Sequence, residues 1–450
     1  NPIYNLTSQV TMKFEIQQSN EYLTSQSGLA LIGELVKLSG LIELIDNTES
    51  AKCRVGAFTN SDIVTSMIGL LSMAKTDFDD VEPFRDDQFF AKALNLSKDI
   101  APSSPTLRQR LNAATAEWDE AVLKANTDLL KEHAKITPCP EGFVRLDFDV
   151  SPMDNSGSKK EGVSMTYKKK DGYAPMFAYM GQEGYLINLE FREGKTHCQN
   201  GTPEFIRQTI RIAKEIDDKP LLSVFDSGND SIDNVVECRA EGSEFIIKRN
   251  LRKESTEDWL WIAQTWGTEH EVRPGKVEHI GSLLVSHEKL GDPIRIVFRV
   301  IERTIDKKGQ HLLVPDIEVE TYWTSLELDP FKIIDLYHAH GTSEQFHSEF
   351  KGDMDLERLP SGHFSTNTRI MYLGLFTYNI LRLIGQSSLE FGVYKSRRKK
   401  VFRRRLRSVI QDLIYLASRL VRKANRWWIS FGRHCPYYHV FRGLYGRWVT

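Results

Sequence analysis

The chain is poor in cysteine. Five stand in 450 residues (Cys53, Cys139, Cys198, Cys238, Cys435), an odd number with no CxxC pair. That excludes a disulfide scaffold and a zinc ribbon, and it fits a reduced, cytosolic protein. A long apolar run is also missing. The longest, Ile370 to Ile384, is broken by Thr377, Asn379 and Arg382 and is too polar to span a bilayer. Residues 1–18 hold no apolar core behind a positive start, so no secretory signal is visible and no membrane partner is expected. There is no internal repeat, and no low-complexity stretch beyond Arg397 to Arg407. What remains is ordinary globular composition, 40% hydrophobic and 27% charged, enough for sizeable cores in about three domains of roughly 150 residues.

Acid is absent from the end of the chain. From Lys395 to Thr450, 16 Lys and Arg face one acid, Asp412, while the first 394 residues hold 43 basic and 60 acidic residues. A tail of +15 on a body of −17 points to a polyanionic partner, most simply nucleic acid. Trp427, Trp428, Tyr437 and Tyr438 interleave with the arginines, which suits nucleic acid better than a membrane. An intramolecular clamp of tail on body is the competing use of the same charge. Ile410, Leu413, Leu416 and Leu420 recur at helical spacing and predict a tail helix, with Arg403, Arg407, Arg419 and Arg422 on its exposed sides.

Residues 1–140 read as helical. Leu29 to Ile45 is apolar at helical spacing with a break at Gly40, Ser61 can cap a helix through Met73, and Ser104-Pro105 opens one helix from Thr106 to His133. At Gly142 the period changes to two. Val144, Leu146, Phe148 and Val150 alternate with Arg145, Asp147 and Asp149, a strand with both aspartates on one face. Two strand-like runs between Pro175 and Arg192 follow, around a Gly181-Gln-Glu-Gly184 turn. Then come a helix from Thr202, a strand from Leu221 to Phe225 ending at Asp226-Ser-Gly, a helix capped by Ser231, and a strand from Glu244 to Lys248. The order is β-β-β-α-β-α-β. Lys253 to Trp323 reads as a β-rich insertion of short runs between charged turns. Asp329-Pro330 opens a helix carrying Tyr337 to Lys351, and Thr366 to Ile384 is a further apolar helix.

Three acids sit where catalysis is usually placed: Asp149 near a strand end, Asp226 at the carboxyl end of another strand, and Glu344 on a covering helix. Such a set can hold two Mg2+ ions about 4 Å apart through hard oxygen ligands. Taken singly, each acid reads better as a helix cap or a solvated turn residue; only their order on this strand pattern favours catalysis. Periodicity does not choose between Asp147 and Asp149. His340, Glu344 and His347 recur at helical spacing, but H-E-x-x-H is absent, so a zinc site is not indicated.

The segment Tyr337-His-Ala-His340-Gly-Thr-Ser-Glu344-Gln-Phe-His-Ser-Glu-Phe-Lys351 resembles the Y-x2-R-x3-E-x6-K signature of the DDE transposases of bacterial insertion sequences. Leu146-Asp-Phe-Asp149-Val-Ser resembles that family's first-acid strand and Phe225-Asp226-Ser-Gly its second-acid turn. Leu359-Pro-Ser-Gly-His-Phe364, with Asn367 and Tyr378-Asn379, resembles the segment after the glutamate. The likeness covers about residues 140–390. It implies an α/β, ribonuclease-H-like (retroviral-integrase-like) catalytic core with a β-rich insertion, flanked by a helical N-terminal DNA-binding region and a basic C-terminal region. The expected divisions are 1–140, 141–252 with 324–390, 253–323, and 391–450.

By that resemblance Asp149, Asp226 and Glu344 are the catalytic, metal-holding triad. Asp149 is preferred to Asp147 because Asp-Val-Ser matches the family motif. Tyr337, His340 and Lys351 fall on DNA-contacting positions, His340 standing where the family has Arg. Arg249, at a strand end, is a further candidate for the DNA backbone. One of Trp259, Trp261, Trp266 and Trp323 could stack on an unpaired base. The implied activity is Mg2+-dependent cleavage at transposon ends and strand transfer into target DNA, with Mn2+ able to substitute. The implied setting is the bacterial cytoplasm, associated with the nucleoid when bound to DNA. The partners are double-stranded terminal repeats, target DNA and a second copy of the chain. A non-catalytic DNA-binding protein on the same fold and a hydrolytic metal-dependent nuclease are the alternatives.

Overall fold

The computed structural model describes residue 14 and residues 16–48, 58–392 and 401–449, with His340 and Thr342 described in their backbone only. Its centre is a nine-stranded mixed sheet. The strands are β1 (Val144–Val150), β2 (Met176–Met180), β3 (Tyr185–Glu190), β4 (Leu221–Phe225), β5 (Glu244–Lys248), β6 (Thr268–Arg273), β7 (Lys276–Val285), β8 (Ile294–Ile305) and β9 (His311–Thr324). Their order is β6-β7-β8-β9-β5-β4-β1-β2-β3. β1, β2 and β3 form an antiparallel meander, and β4 and β5 run parallel to β1. The alternation read in β1 is real, but both faces of the strand are covered. Phe148 stacks on Phe225 at 4.4 Å and meets Phe205 edge-on at 6.2 Å.

The helices that matter for the site are α1 (Thr202–Ile216), α2 (Ile232–Ala240), α3 (Thr256–Trp266), α4 (Pro330–His338), α5 (Ser343–Ser348) and α6 (Phe364–Ser388). α1 is amphipathic, and Phe205, Ile206, Ile210 and Ala213 bury its apolar face. β4 distributes its side chains by the strand period. Leu221 and Phe225 join the large core shared with α1 and α6, while Leu222 and Val224 join a smaller core with Ile333, Ile334 and Leu336 of α4. α6 is buried along most of its length. Its Asn379 accepts from Leu186 N (2.9 Å) and donates to Leu186 O (2.6 Å), pinning α6 to the edge strand β3, and Tyr378 OH donates to Gly184 O. The Tyr-Asn pair singled out in the sequence therefore builds the scaffold. No described helix is long and apolar enough to cross a membrane.

The structure departs from the expected elements in several places. The helix expected from Thr106 to His133 is two helices, Ser104–Ala113 and Glu117–His133, because Ala114 turns extended (ψ 148°) and Glu117 and Glu120 supply a new acidic first turn. The helix expected from Ser61 starts at Asn60, with Thr59 and Asp62 as a reciprocal cap. The insertion is not all β. Ser255 caps α3, which buries Trp259 and Ala263 one turn apart. Its strands extend the main sheet, with Tyr322, Trp323 and Thr324 of β9 pairing with Lys248, Ile247 and Ile246 of β5.

In the tail, the expected helix through Leu420 stops. Leu406–Val409 is helical and Ile410–Ile414 is a π-turn. Ser418–Lys423 is then a strand that pairs with Arg426–Phe431 across Ala424 and Asn425, both at positive φ. The same strand pairs with Tyr22–Thr24, so the described ends of the chain meet in one small sheet.

Candidate active site

β1 and β4 are neighbours in parallel, with Phe148 opposite Phe225. The next residue on each is an aspartate, Asp149 and Asp226, so the two acids leave the carboxyl ends of adjacent strands side by side, where open α/β sheets place their sites. Asp226 turns into the short helical turn Ser227–Asn229, and its Oδ1 accepts from Asn229 Nδ2 at 2.9 Å. Gly228 keeps that turn tight, since a Cβ there would lie 3.2 Å from the same oxygen. Glu344 stands exposed near the start of α5. All three acids line one cavity of about 880 Å³, together with Tyr337, His347 and Lys351.

The position of α5 is set from below. Gly184, at φ +71° in the β2–β3 turn, lies under Phe346, whose ring would be 2.4 Å from any Cβ at that position. Only glycine allows both the left-handed turn and this close approach. Lys351 donates to Pro152 O at 3.0 Å, and burial lowers its pKa. Tyr337 packs against Tyr322 (4.7 Å) with the Lys248 ammonium 5.8 Å from its ring centroid. Burial first, and the charge of Asp226 next, raise its phenol well above the usual range.

Between β1 and β2 lies a small three-stranded sheet (Met153–Asp154, Asp171–Tyr173, Ser164–Met165) that was not among the expected elements. It brings Tyr167 and Lys168 to the cavity wall. Tyr167 OH donates to Val150 O at 3.2 Å, and its pKa is raised by burial and then by Asp149 and Asp226. These two residues and His347 were missed as site residues. The sequence shows the charge of Lys168 and the helical spacing of His347 from Glu344, with nothing to tie either to the aspartates.

The structure separates the two aspartates of β1. Asp147 is fully buried and held by Arg145 Nε at 2.9 Å, away from the cavity, whereas Asp149 opens onto it. His340 lies in the turn Ala339–Thr342, and its side chain is outside the described residues. The Arg249 guanidinium lies over Trp323 (4.4 Å) and near Trp259 (5.7 Å), pairs with Glu254 at 2.7 Å and donates to Thr321, so it packs against the insertion. Trp259 and Trp323 are buried in the same cluster, while Trp261 and Trp266 are 65% and 70% exposed on α3.

The tail arginines are also engaged within the chain. Arg403 pairs with Glu349, Arg404 with Asp412, and Arg405 with Asp353 at 2.7 Å, with Arg407 3.7 Å from Asp353. Glu349 and Asp353 lie on the π-turn that continues α5. These four arginines therefore have carboxylate partners within the chain, although Arg405 and Arg407 remain 46% and 63% exposed.

Nearly the whole chain, residues 7–448, matches the family model described as transposase DDE domain group 1. The chain therefore belongs to that family of DDE transposases. No curated protein matches it. Among solved structures, a piggyBac transposase in a synaptic complex with hairpin DNA is similar at 12% identity and a TM-score of 0.44, covering 88% of this chain and 82% of that one.

Proposed function

We propose that this transposase cuts the ends of its element and joins them to target DNA by Mg2+-dependent chemistry at Asp149, Asp226 and Glu344. One observation carries the reading: two aspartates at the ends of neighbouring parallel strands and a glutamate on the covering helix open onto a single cavity. The order β3-β2-β1-β4-β5, a meander followed by two parallel strands, supports a ribonuclease-H-like core.

The donors fit Mg2+ by their chemistry, being carboxylate oxygens on a polar, water-accessible cavity. Among the described residues no three His, Cys, Asp or Glu side chains are yet drawn together as an ion requires. Glu344 is exposed on the same cavity as the two aspartates and would supply the third carboxylate. Bound there, two Mg2+ ions, or Mn2+ in their place, would activate a water or 3′-hydroxyl and neutralise the leaving oxygen. The chain's own residues do the rest. Lys351 and Lys168 bring positive charge to a phosphate among the acids. Tyr337 keeps its proton and donates it in a hydrogen bond. The partners follow from the reaction: duplex terminal repeats, target DNA, and a second copy of the chain, because two ends are joined together.

The test is incubation with duplex carrying the element's ends and a target plasmid, with and without Mg2+. Joined products are expected. Nicks without joining would select the hydrolytic nuclease, and binding without cutting would select the non-catalytic DNA-binding protein.

A further inference from the structure

Asp149 is held by a residue that the triad does not include. His347 lies three residues after Glu344, one turn on along α5, and its side chain is 5% exposed. Its Nε2 is 2.9 Å from Asp149 Oδ2, and its Nδ1 is 3.3 Å from the hydroxyl of Tyr179 on β2. The ring is wedged edge-on against Phe177 (5.0 Å) and Tyr179 (5.2 Å). Phe177 is the direct cross-strand neighbour of Asp149, and Tyr179 that of Asp147. One imidazole therefore bridges two strands and the helix that carries the third acid.

The geometry lets Nε2 donate to the carboxylate while Nδ1 faces the Tyr179 hydroxyl. That hydroxyl keeps its proton, because burial raises its pKa far above the ordinary phenol value.

We propose that His347 is a positioning residue for the metal centre: its hydrogen bond to Oδ2, backed by Tyr179, fixes the plane of the Asp149 carboxylate and docks the Glu344 helix onto β1. This rests on the reading of Asp149 as a metal ligand. Partners that orient a ligating side chain typically change metal affinity by 10- to 100-fold when removed. Here the same bond also sets how far Glu344 stands from the aspartates, because His347 and Glu344 share one short helix.

The experiment compares the full-length wild type with His347→Ala, His347→Gln, Tyr179→Phe and Asp149→Ala. Mn2+ affinity is read from the spin-resonance signal of free Mn2+, and folding from thermal melting in chelator. His347→Ala should bind Mn2+ about 10- to 100-fold more weakly. His347→Gln, whose amide can donate to the same oxygen, should recover most of the loss, and Tyr179→Phe should lose less than His347→Ala. Wild-type Mn2+ affinity in His347→Ala would overturn the proposal. So would a folded His347→Gln as impaired as His347→Ala, because that is what a packing role alone gives. Wild-type Mn2+ binding in Asp149→Ala would instead remove the metal reading on which the proposal stands.

Discussion

Residues Ser343–Asp353 form one short helical segment whose two ends treat acids in opposite ways. At the cavity end Glu344 is exposed beside Asp149 and Asp226. At the other end Glu349 has no exposure at all. It is held by Arg382 at 2.8 Å, by Arg403 and by the backbone N–H of Leu406, while Asp353 is held by Arg405. Negative charge on this segment thus stands in two settings. Where arginines from α6 and the tail enclose it, the acid locks the fold. At the cavity it is exposed, with Lys168 and Lys351 on the same wall.

The largest expected effect lies at the cavity end. Asp149→Ala, Asp226→Ala or Glu344→Ala should reduce Mg2+-dependent cleavage to background, with DNA affinity in a binding assay held within about threefold, since phosphate contacts and not the triad carry most of the binding. Cleavage surviving in Glu344→Ala would break the comparison at once. At the other end the loss should be in stability. Glu349→Ala leaves the buried Arg382 without its carboxylate, which costs about 3–5 kcal/mol in chemical unfolding, whereas Glu344→Gln should leave stability unchanged or slightly raised. Equal destabilisation by the two changes would erase the distinction.

The tail offers the next test. Converting Arg403, Arg404, Arg405 and Arg407 to Gln should cost about 2–3 kcal/mol of stability, because Arg382 still serves Glu349 while bonds to charged partners are lost. The dependence of log DNA affinity on log salt should hardly change. A fall in that slope of roughly 2 to 4 would mean that these arginines leave their acids for DNA phosphates.

The smallest effect concerns an acid of a third kind. Burial raises Asp119 to about 7, outweighing the pull of Arg369. A carboxyl whose folded pKa stands above its unfolded value of about 3.9 destabilises the fold increasingly as pH rises through that window, and by a constant amount above it. Asp119→Asn should therefore raise the melting temperature more at pH 8 than at pH 4. A gain independent of pH would show that its ionisation is not what costs stability.

How much of this was legible follows the range of each interaction. The alternation of β1, the glycines at 181 and 184, and the strand ending at Asp226 are local signals, and the elements they foretell are there. The spacing of Tyr337, Glu344 and Lys351 put three residues on one cavity. Which way a charge points is not local. Arg249 reads as a strand-end charge, and its enclosure by Trp259 and Trp323, from two other elements, is invisible in the sequence. The tail's +15 is plain in the sequence, but that Arg403 meets Glu349 and Arg405 meets Asp353, some 50 residues earlier, is not. His347 was visible as a histidine at helical spacing, but its meaning depends on Asp149 and Tyr179, 198 and 168 residues away in the chain. The Leu420 stripe failed because Ala424 and Asn425 adopt positive φ without a glycine to signal the turn.

The central claim is that three distant acids make one metal site. Fe2+ with ascorbate and peroxide, substituted for Mg2+ in the full-length protein, cuts the backbone wherever the ion sits. Cuts are expected near residues 147–151, 225–229 and 341–347 together, all lost in Asp149→Ala. Cuts at fewer than these three segments, or cuts that persist in Asp149→Ala, would contradict it.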